Sequence, residues 1–159
     1  MFERIIVPLD GSRLSAQSIP FAAEIGKRFD SEVVLVRVLP PPGPTTIPVD
    51  INTGNIGDII SQDVTAKEVE SPANAKRYLM NWAQSLKTQG VKTSYQVTIG
   101  TPAKSIMEMA QAQQASLIVM MSHGRGWFKR AMMGSVADEI LRGSAVPVLI
   151  IRAKAIDKK

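Results

Sequence analysis

Residues 116–135, SLIVMMSHGRGWFKRAMMGS, gather the residue types that could hold a phosphate. Ser122, His123, Gly124, Arg125 and Gly126 follow directly on the apolar run 117–121, and small residues there let a ligand approach the main chain. Gly134-Ser135 closes the stretch, with Val136, Ile140 and Leu141 after it at helical spacing. Ser135 is a candidate N-cap, and its helix would turn unpaired N–H groups and a positive dipole end towards the loop. With Arg125, Lys129 and Arg130 between, strand, glycine loop and helix start make a phosphate cradle built from main-chain amides. A loop of turn residues with solvated basic side chains would give the same local pattern.

No reactive group accompanies this cradle. The chain has no cysteine, which excludes disulfides, thiolate metal sites and cysteine nucleophiles. Its single histidine, His123, has no recognisable nucleophile or metal partner and reads as a loop residue. A Walker A loop would place a lysine directly before the Ser or Thr that follows its last glycine, and here Gly134 itself precedes Ser135. Kinase, hydrolase and zinc motifs are also missing. The chemistry on offer is therefore binding, without a catalytic set.

The elements that must position these residues follow from length and patterning. At 159 residues the chain suits one domain with a sizeable core. It contains no run long enough for a transmembrane helix, and no signal peptide is expected ahead of the first strand-like segment, so a cytoplasmic protein is expected. The net charge of +5 is spread over scattered Lys and Arg, the pattern of a solvated surface, and no nucleic-acid-binding motif is recognisable.

Residues 4–9, RIIVPL, predict a first buried strand, and Asp10-Gly11-Ser12 turns into a helix over about 14–29. Ile19, Ala22, Ala23, Gly26 and Phe29 form its inward stripe, and Pro20 is expected to kink its early turns. A second strand over 32–39 completes a βαβ unit. From about 40 to 63 the composition changes to a Pro-rich stretch, expected to be a functional flap or a mobile insertion. Ser71-Pro72 predicts the start of a helix running to about 89, and 91–99 a third strand at an edge. Thr101-Pro102 repeats the cap-and-proline signature for a helix burying Ile106, Met109 and Ala110. The organising stretch supplies the fourth strand and last helix, about 135–142. Residues 146–151 form a fifth strand whose Pro147 suits an edge, and a basic tail follows.

Five strands alternating with four helices predict an α/β fold, an open five-stranded parallel sheet in the order 3-2-1-4-5 with helices on both faces. Ligands on such sheets bind at the carboxyl ends of the strands where the order reverses, here between the first and fourth strands. Asp10 and Gly124 would then face each other.

The residues Ile5-Ile6-Val7-Pro8-Leu9-Asp10-Gly11-Ser12, Gly100-Thr101-Pro102-Ala103, Leu117-Ile118-Val119-Met120 running into Ser122-His123-Gly124-Arg125-Gly126, Gly134-Ser135-Val136 and Val146-Pro147-Val148-Leu149 together resemble the universal stress protein family. The resemblance spans nearly the whole chain outside the insertion. It implies one domain over about 1–153 with a tail at 154–159, and the family's Rossmann-like, adenine-nucleotide alpha hydrolase-like fold. It also implies a homodimer paired through strand 146–151, in keeping with an apolar edge that needs cover.

The family's nucleotide-binding signature is glycine, two residues, glycine, nine residues, then glycine and serine or threonine. Gly124, the nine residues 125–133 and Gly134-Ser135 match it, but Met121 occupies the place of the first glycine. If that place needs positive φ, a side chain costs about 1–2 kcal/mol, about tenfold in affinity. If it needs only close approach, Met121 either obstructs the site or lines it. Several charge-assisted phosphate hydrogen bonds, about 1.5–3 kcal/mol each, would outweigh that cost.

By the resemblance, Pro8, Leu9 and Val38 line an adenine pocket and Asp10 lies near the nucleoside or a bound metal. Gly124, Gly134, Ser135 and the adjoining Val136 hold phosphates, with Ser122 and Arg125 in support. Asp10 read alone has the lesser alternative of a turn carboxylate capping the next helix, and Val38 is equally apolar core. The ligand implied is ATP, with ADP and AMP as alternatives and Mg²⁺ as a companion ion, acting as a regulatory ligand in a stress response. A slow Ser/Thr autokinase or ATPase is the enzymic alternative. A structural dimer that has lost nucleotide binding through Met121 is the third.

Overall fold

The computed structural model describes residues 1–42, 70–122 and 134–152. In chain order these form β1 (Arg4–Pro8), α1 (Arg13–Ala16), α2 (Ile19–Phe29), β2 (Glu32–Leu39), α3 (Pro72–Thr88), β3 (Thr93–Ile99), α4 (Pro102–Ala112), β4 (Leu117–Ser122), α5 (Ser135–Gly143) and β5 (Val148–Arg152). The strands make one sheet in the order β3-β2-β1-β4-β5, and every pair is parallel. The strand order reverses between β1 and β4, as the alternation of elements predicts. The Pro-rich insertion from residue 43 onward, the glycine loop 123–133 and the basic tail lie outside the described residues.

Successive strand residues point to opposite faces, and in this sheet both faces are apolar. Ile5, Val7, Val33, Leu35, Leu117 and Val119 join Ile19 and Ala22 of α2 and Leu79, Ala83 and Leu86 of α3 in one cluster. Ile6, Val34, Val36, Ile118 and Met120 join Ile106 and Ala110 of α4 and Ala137 and Ile140 of α5 in the other. Near-continuous aliphatic runs in β1, β2 and β4 are the mark of strands covered twice. Gly26 sets the approach of α2 to the sheet, because a Cβ there would stand 3.0 Å from Val33 and 3.3 Å from Val91.

The first helix differs from its expectation. It breaks into α1 and α2 at Gln17–Ser18, and Pro20 falls in the first turn of α2, where its missing N–H costs nothing. The proline thus restarts a helix instead of kinking one. Phe29 is half exposed and stacks edge-on against Phe2 at 5.0 Å between ring centres, outside the inward stripe. Thr101 precedes α4 without a side-chain cap bond, whereas Ser71 Oγ accepts from Asn74 N at 3.2 Å and caps α3 as expected. Pro147 stands just before β5, and its carbonyl accepts from Ile118 N at 2.9 Å. β5 is nevertheless an edge strand.

At the end of the sheet away from the reversal's carboxyl edge, Glu32 ties three strands together. It accepts from Ser94 Oγ at 2.7 Å and from Arg4 Nε at 2.9 Å. Its carboxyl is held below the ordinary value of 4.5, chiefly by the Ser94 hydroxyl, with burial opposing and Arg4 assisting. A depressed folded-state pKa stabilises the fold above the unfolded-state value, and that contribution is lost as pH falls through the folded value. Ser94→Ala is expected to move the Glu32 titration upward and to flatten the acid limb of stability. Side-chain carboxyl NMR reads this directly, and an unmoved titration would contradict it.

Candidate functional site

At the carboxyl ends of β1, β2 and β4 the chain encloses a cavity of about 430 Å³, within the roughly 300–1,000 Å³ of small-molecule sites. Its depth is apolar. Val36 and Val38 of β2, Pro102 and Ile106 of α4, Met120 and Met121 of β4, and Val136 and Ala137 of α5 line it. Val36, Ile106, Met120 and Ala137 belong to the cluster beneath α4 and α5, with Val38 and Val136 packed against it. Its rim is polar, formed by Asp10, Ser15, Arg37 and Ser135, with Pro8, Leu9 and Gly134 between.

The turn after β1 holds Asp10 in place by its own hydrogen bonds. Asp10 Oδ1 accepts from Ser12 N at 2.9 Å, Ser12 Oγ accepts from Ser15 N at 3.0 Å, and Asp10 N donates to Ser15 Oγ at 3.2 Å. Asp10 is therefore a turn carboxylate, as its local reading allows, but Ser12 rather than Asp10 caps α1. Gly11 makes the turn at φ +82°, a conformation that side chains rarely adopt.

On the opposite rim, α5 begins at Ser135 with Gly134 as its N-cap and no side-chain cap bond. Ser135 thus occupies the first helical position, correcting its expected role as cap. The consequence favours a ligand, because the first-turn N–H groups are free of an intrahelical partner and the positive dipole end faces the cavity's rim.

Met121 settles one alternative. It lies within β4 opposite Ile151, is 5% exposed, and is not among the described non-glycine residues with positive φ, which are Asp30 and Gln114. Backbone strain is therefore absent at this place, and the side chain lines the cavity floor. Ser122 does not line the cavity, and its hydroxyl turns to Ile151 O at 3.5 Å. Gly124 and Arg125 lie outside the described residues. Pro8, Leu9, Asp10, Val38, Met121, Gly134, Ser135 and Val136 are brought together around one cavity.

Sequence reasoning missed Arg37, the one cation among the described cavity residues. Its Nε donates to Glu70 Oε2 at 2.8 Å, its Nη2 also bonds Glu70, and its Nη1 donates to Leu9 O at 3.2 Å. Behind it, burial raises the Tyr78 phenol above its ordinary range, with Trp82 and Arg37 pulling it back and the Asp10 charge adding to the rise. Among the described residues the Tyr78 hydroxyl has no partner at hydrogen-bond geometry. The available signal for Arg37 was a lone charge inside an otherwise aliphatic strand. The described residues contain no group of three or more potential metal ligands, and none of their helices is long and apolar enough to cross a membrane.

A sequence model of the universal stress protein family matches residues 1–152. A universal stress protein of Methanocaldococcus jannaschii is 28% identical over 152 residues, covering 96% of this chain and 83% of that protein. Among solved structures, universal stress protein UspA from Lactobacillus plantarum superposes with a TM-score of 0.72 at 21% identity, over 95% of this chain and 98% of that one. A universal stress protein in complex with cAMP gives 0.66 at 20% identity over 94% and 96% of the two chains. The Archaeoglobus fulgidus protein in complex with dAMP gives 0.63 at 22% identity over 94% and 98%. These structural likenesses show the same fold.

Proposed function

The chain belongs to the universal stress protein family, and from that premise we propose that it binds an adenine nucleotide, ATP foremost, as a regulatory ligand in a stress response. The observation that carries this is the cavity at the strand-order reversal, apolar in depth and polar at its rim, with the start of α5 on one side. Val36, Val38, Pro102 and Ile106 offer flat aliphatic surfaces to a base. Gly134, Ser135 and the following amides offer N–H groups to phosphates, and Gly124 supplies the second glycine of the family signature, with Arg125 next to it in sequence. The relatives crystallised with cAMP and dAMP support an adenine nucleotide. Mg²⁺ would arrive with the nucleotide, its ligands being phosphate oxygens and the Asp10 carboxylate.

Calorimetry with ATP, ADP and AMP, with and without Mg²⁺, tests the proposal. Saturable binding is expected, with a stability gain of about 2.7 kcal/mol at a ligand concentration a hundred times Kd. No heat and no thermal stabilisation at millimolar ATP would leave a structural member of the family.

We also propose that the protein is a homodimer paired along β5. Leu149 on that edge strand is 38% exposed and shares an apolar groove with Pro20, Phe21 and Ile25, the kind of edge that a second copy covers. Sedimentation at micromolar concentration should find a dimer, and a monomer would contradict it.

A further inference from the structure

We propose that Arg37, oriented by Glu70, is the residue by which the cavity distinguishes a ribose from a 2′-deoxyribose, an inference that rests on the nucleotide reading above. Arg37 is the only charged residue between Val33 and Leu39 of β2, and its side chain is 15% exposed. Nε and Nη2 are committed to Glu70, and Nη1 gives one N–H to Leu9 O. A guanidinium has five N–H donors, so each terminal nitrogen keeps one beyond these contacts. Glu70 directly precedes Ser71, the N-cap of α3, so the orienting carboxylate is anchored to a formed helix.

The guanidinium lies under the turn that carries Asp10. A Cβ placed on Gly11 would stand 3.4 Å from Arg37 Nη2. The donors of Arg37 and the acceptor oxygens of Asp10 therefore share the rim over the end of β1. A sugar hydroxyl both donates and accepts, and it matches such a mixed rim.

Charge argues for a sugar here and against a phosphate. The guanidinium is already paired with Glu70, so it meets a ligand as a hydrogen-bond donor more than as a counter-charge, and that suits a neutral hydroxyl. Position argues the same way. β1 separates β2 from β4, and the guanidinium of Arg37 reaches as far as Leu9 at the end of β1, about one strand spacing short of β4. A nucleotide with its base against Val36 and Val38 and its phosphates at Gly134-Ser135 carries its sugar past Asp10 and Arg37.

The test is calorimetry of AMP against 2′-deoxyAMP with the full chain, Arg37→Met, Glu70→Gln and the double variant. The wild-type chain should favour AMP by at least about tenfold, the worth of one charge-assisted hydrogen bond. Arg37→Met should bring the ratio to about one, and Glu70→Gln should bring it partway by freeing the guanidinium. The double variant strands no carboxylate and should also give about one, even if Arg37→Met alone folds poorly. Equal binding of both nucleotides by the wild-type chain overturns the inference while leaving the nucleotide reading intact, as does a preference that survives in the double variant. An unchanged ratio in Glu70→Gln overturns the orienting role of Glu70. Binding of neither nucleotide by the wild-type chain overturns the nucleotide reading and this inference with it.

Discussion

Ser135→Asp is expected to weaken ATP binding at least a hundredfold without lowering the melting temperature. A carboxylate at the first position of α5 interacts favourably with the helix dipole, by about 0.3–1 kcal/mol, so the fold should hold. Against a bound phosphate the same charge is repulsive. Two unit charges 4 Å apart cost about 1 kcal/mol in water and about 4 kcal/mol at an effective dielectric of 20, and the Ser135 hydroxyl is lost as a donor. Adenosine, which carries no phosphate, should lose far less affinity than ATP. Paired titrations of the two ligands with both proteins read this difference. Unchanged ATP affinity would remove the phosphates from the start of α5.

Leu79→Ala should cost roughly 2–5 kcal/mol of stability, a large share of the roughly 5–15 kcal/mol that holds a domain together. Leu79 is fully buried between α3 and the sheet, in the cluster that α2 and α3 cover. Removing its branched end leaves a void that its close-packed neighbours fill only in part. At about 2–4 °C per kcal/mol for a chain of this size, the melting temperature should fall by about 4–20 °C. Most of the cavity's apolar lining belongs to the other cluster, beneath α4 and α5, and of that lining only Leu9 shares a cluster with Leu79, so ATP affinity in the folded fraction should change little. Denaturant unfolding and titration of the same sample separate the two effects. A parallel loss of affinity would mean that the two faces are not independent.

The strands were legible in the sequence because aliphatic runs bounded by turn residues leave few alternatives, and the βαβ rule then restricts their order. The cavity's backbone-derived parts were legible too. Pro8, Leu9 and Asp10 end the first strand, Val38 lies near the end of the second, and Gly134-Ser135 opens the last helix. The parts supplied by helix side chains were not. Ile106 read as inward stripe and Ala137 was not singled out, since periodicity says which residues face the sheet without saying which of them line a cavity. Arg37 was passed over because the strand around it is so apolar that one charge looked incidental. Its partner Glu70 is 33 residues away, a distance that no local pattern bridges.

Details of helix starts depended on geometry finer than residue type. Ser71, Thr101 and Ser135 all look like caps in sequence. Ser71 makes the cap bond, Thr101 stands at the cap position without it, and Ser135 has moved one place into its helix behind Gly134. Met121 illustrates the converse. A missing glycine suggests strain, yet ordinary pairing with β5 accommodates the side chain in an extended strand, and the substitution changes what lines the cavity instead of how the backbone runs.

The most direct test of the central claim is an amide NMR titration of the full chain with ATP. The account predicts saturable shifts at Leu9, Asp10, Val38 and the amides of residues 134–137, with Glu32 and Ser94 at the far end of the sheet unmoved. Shifts confined to that far end, or no saturable shifts at millimolar ATP, would contradict it.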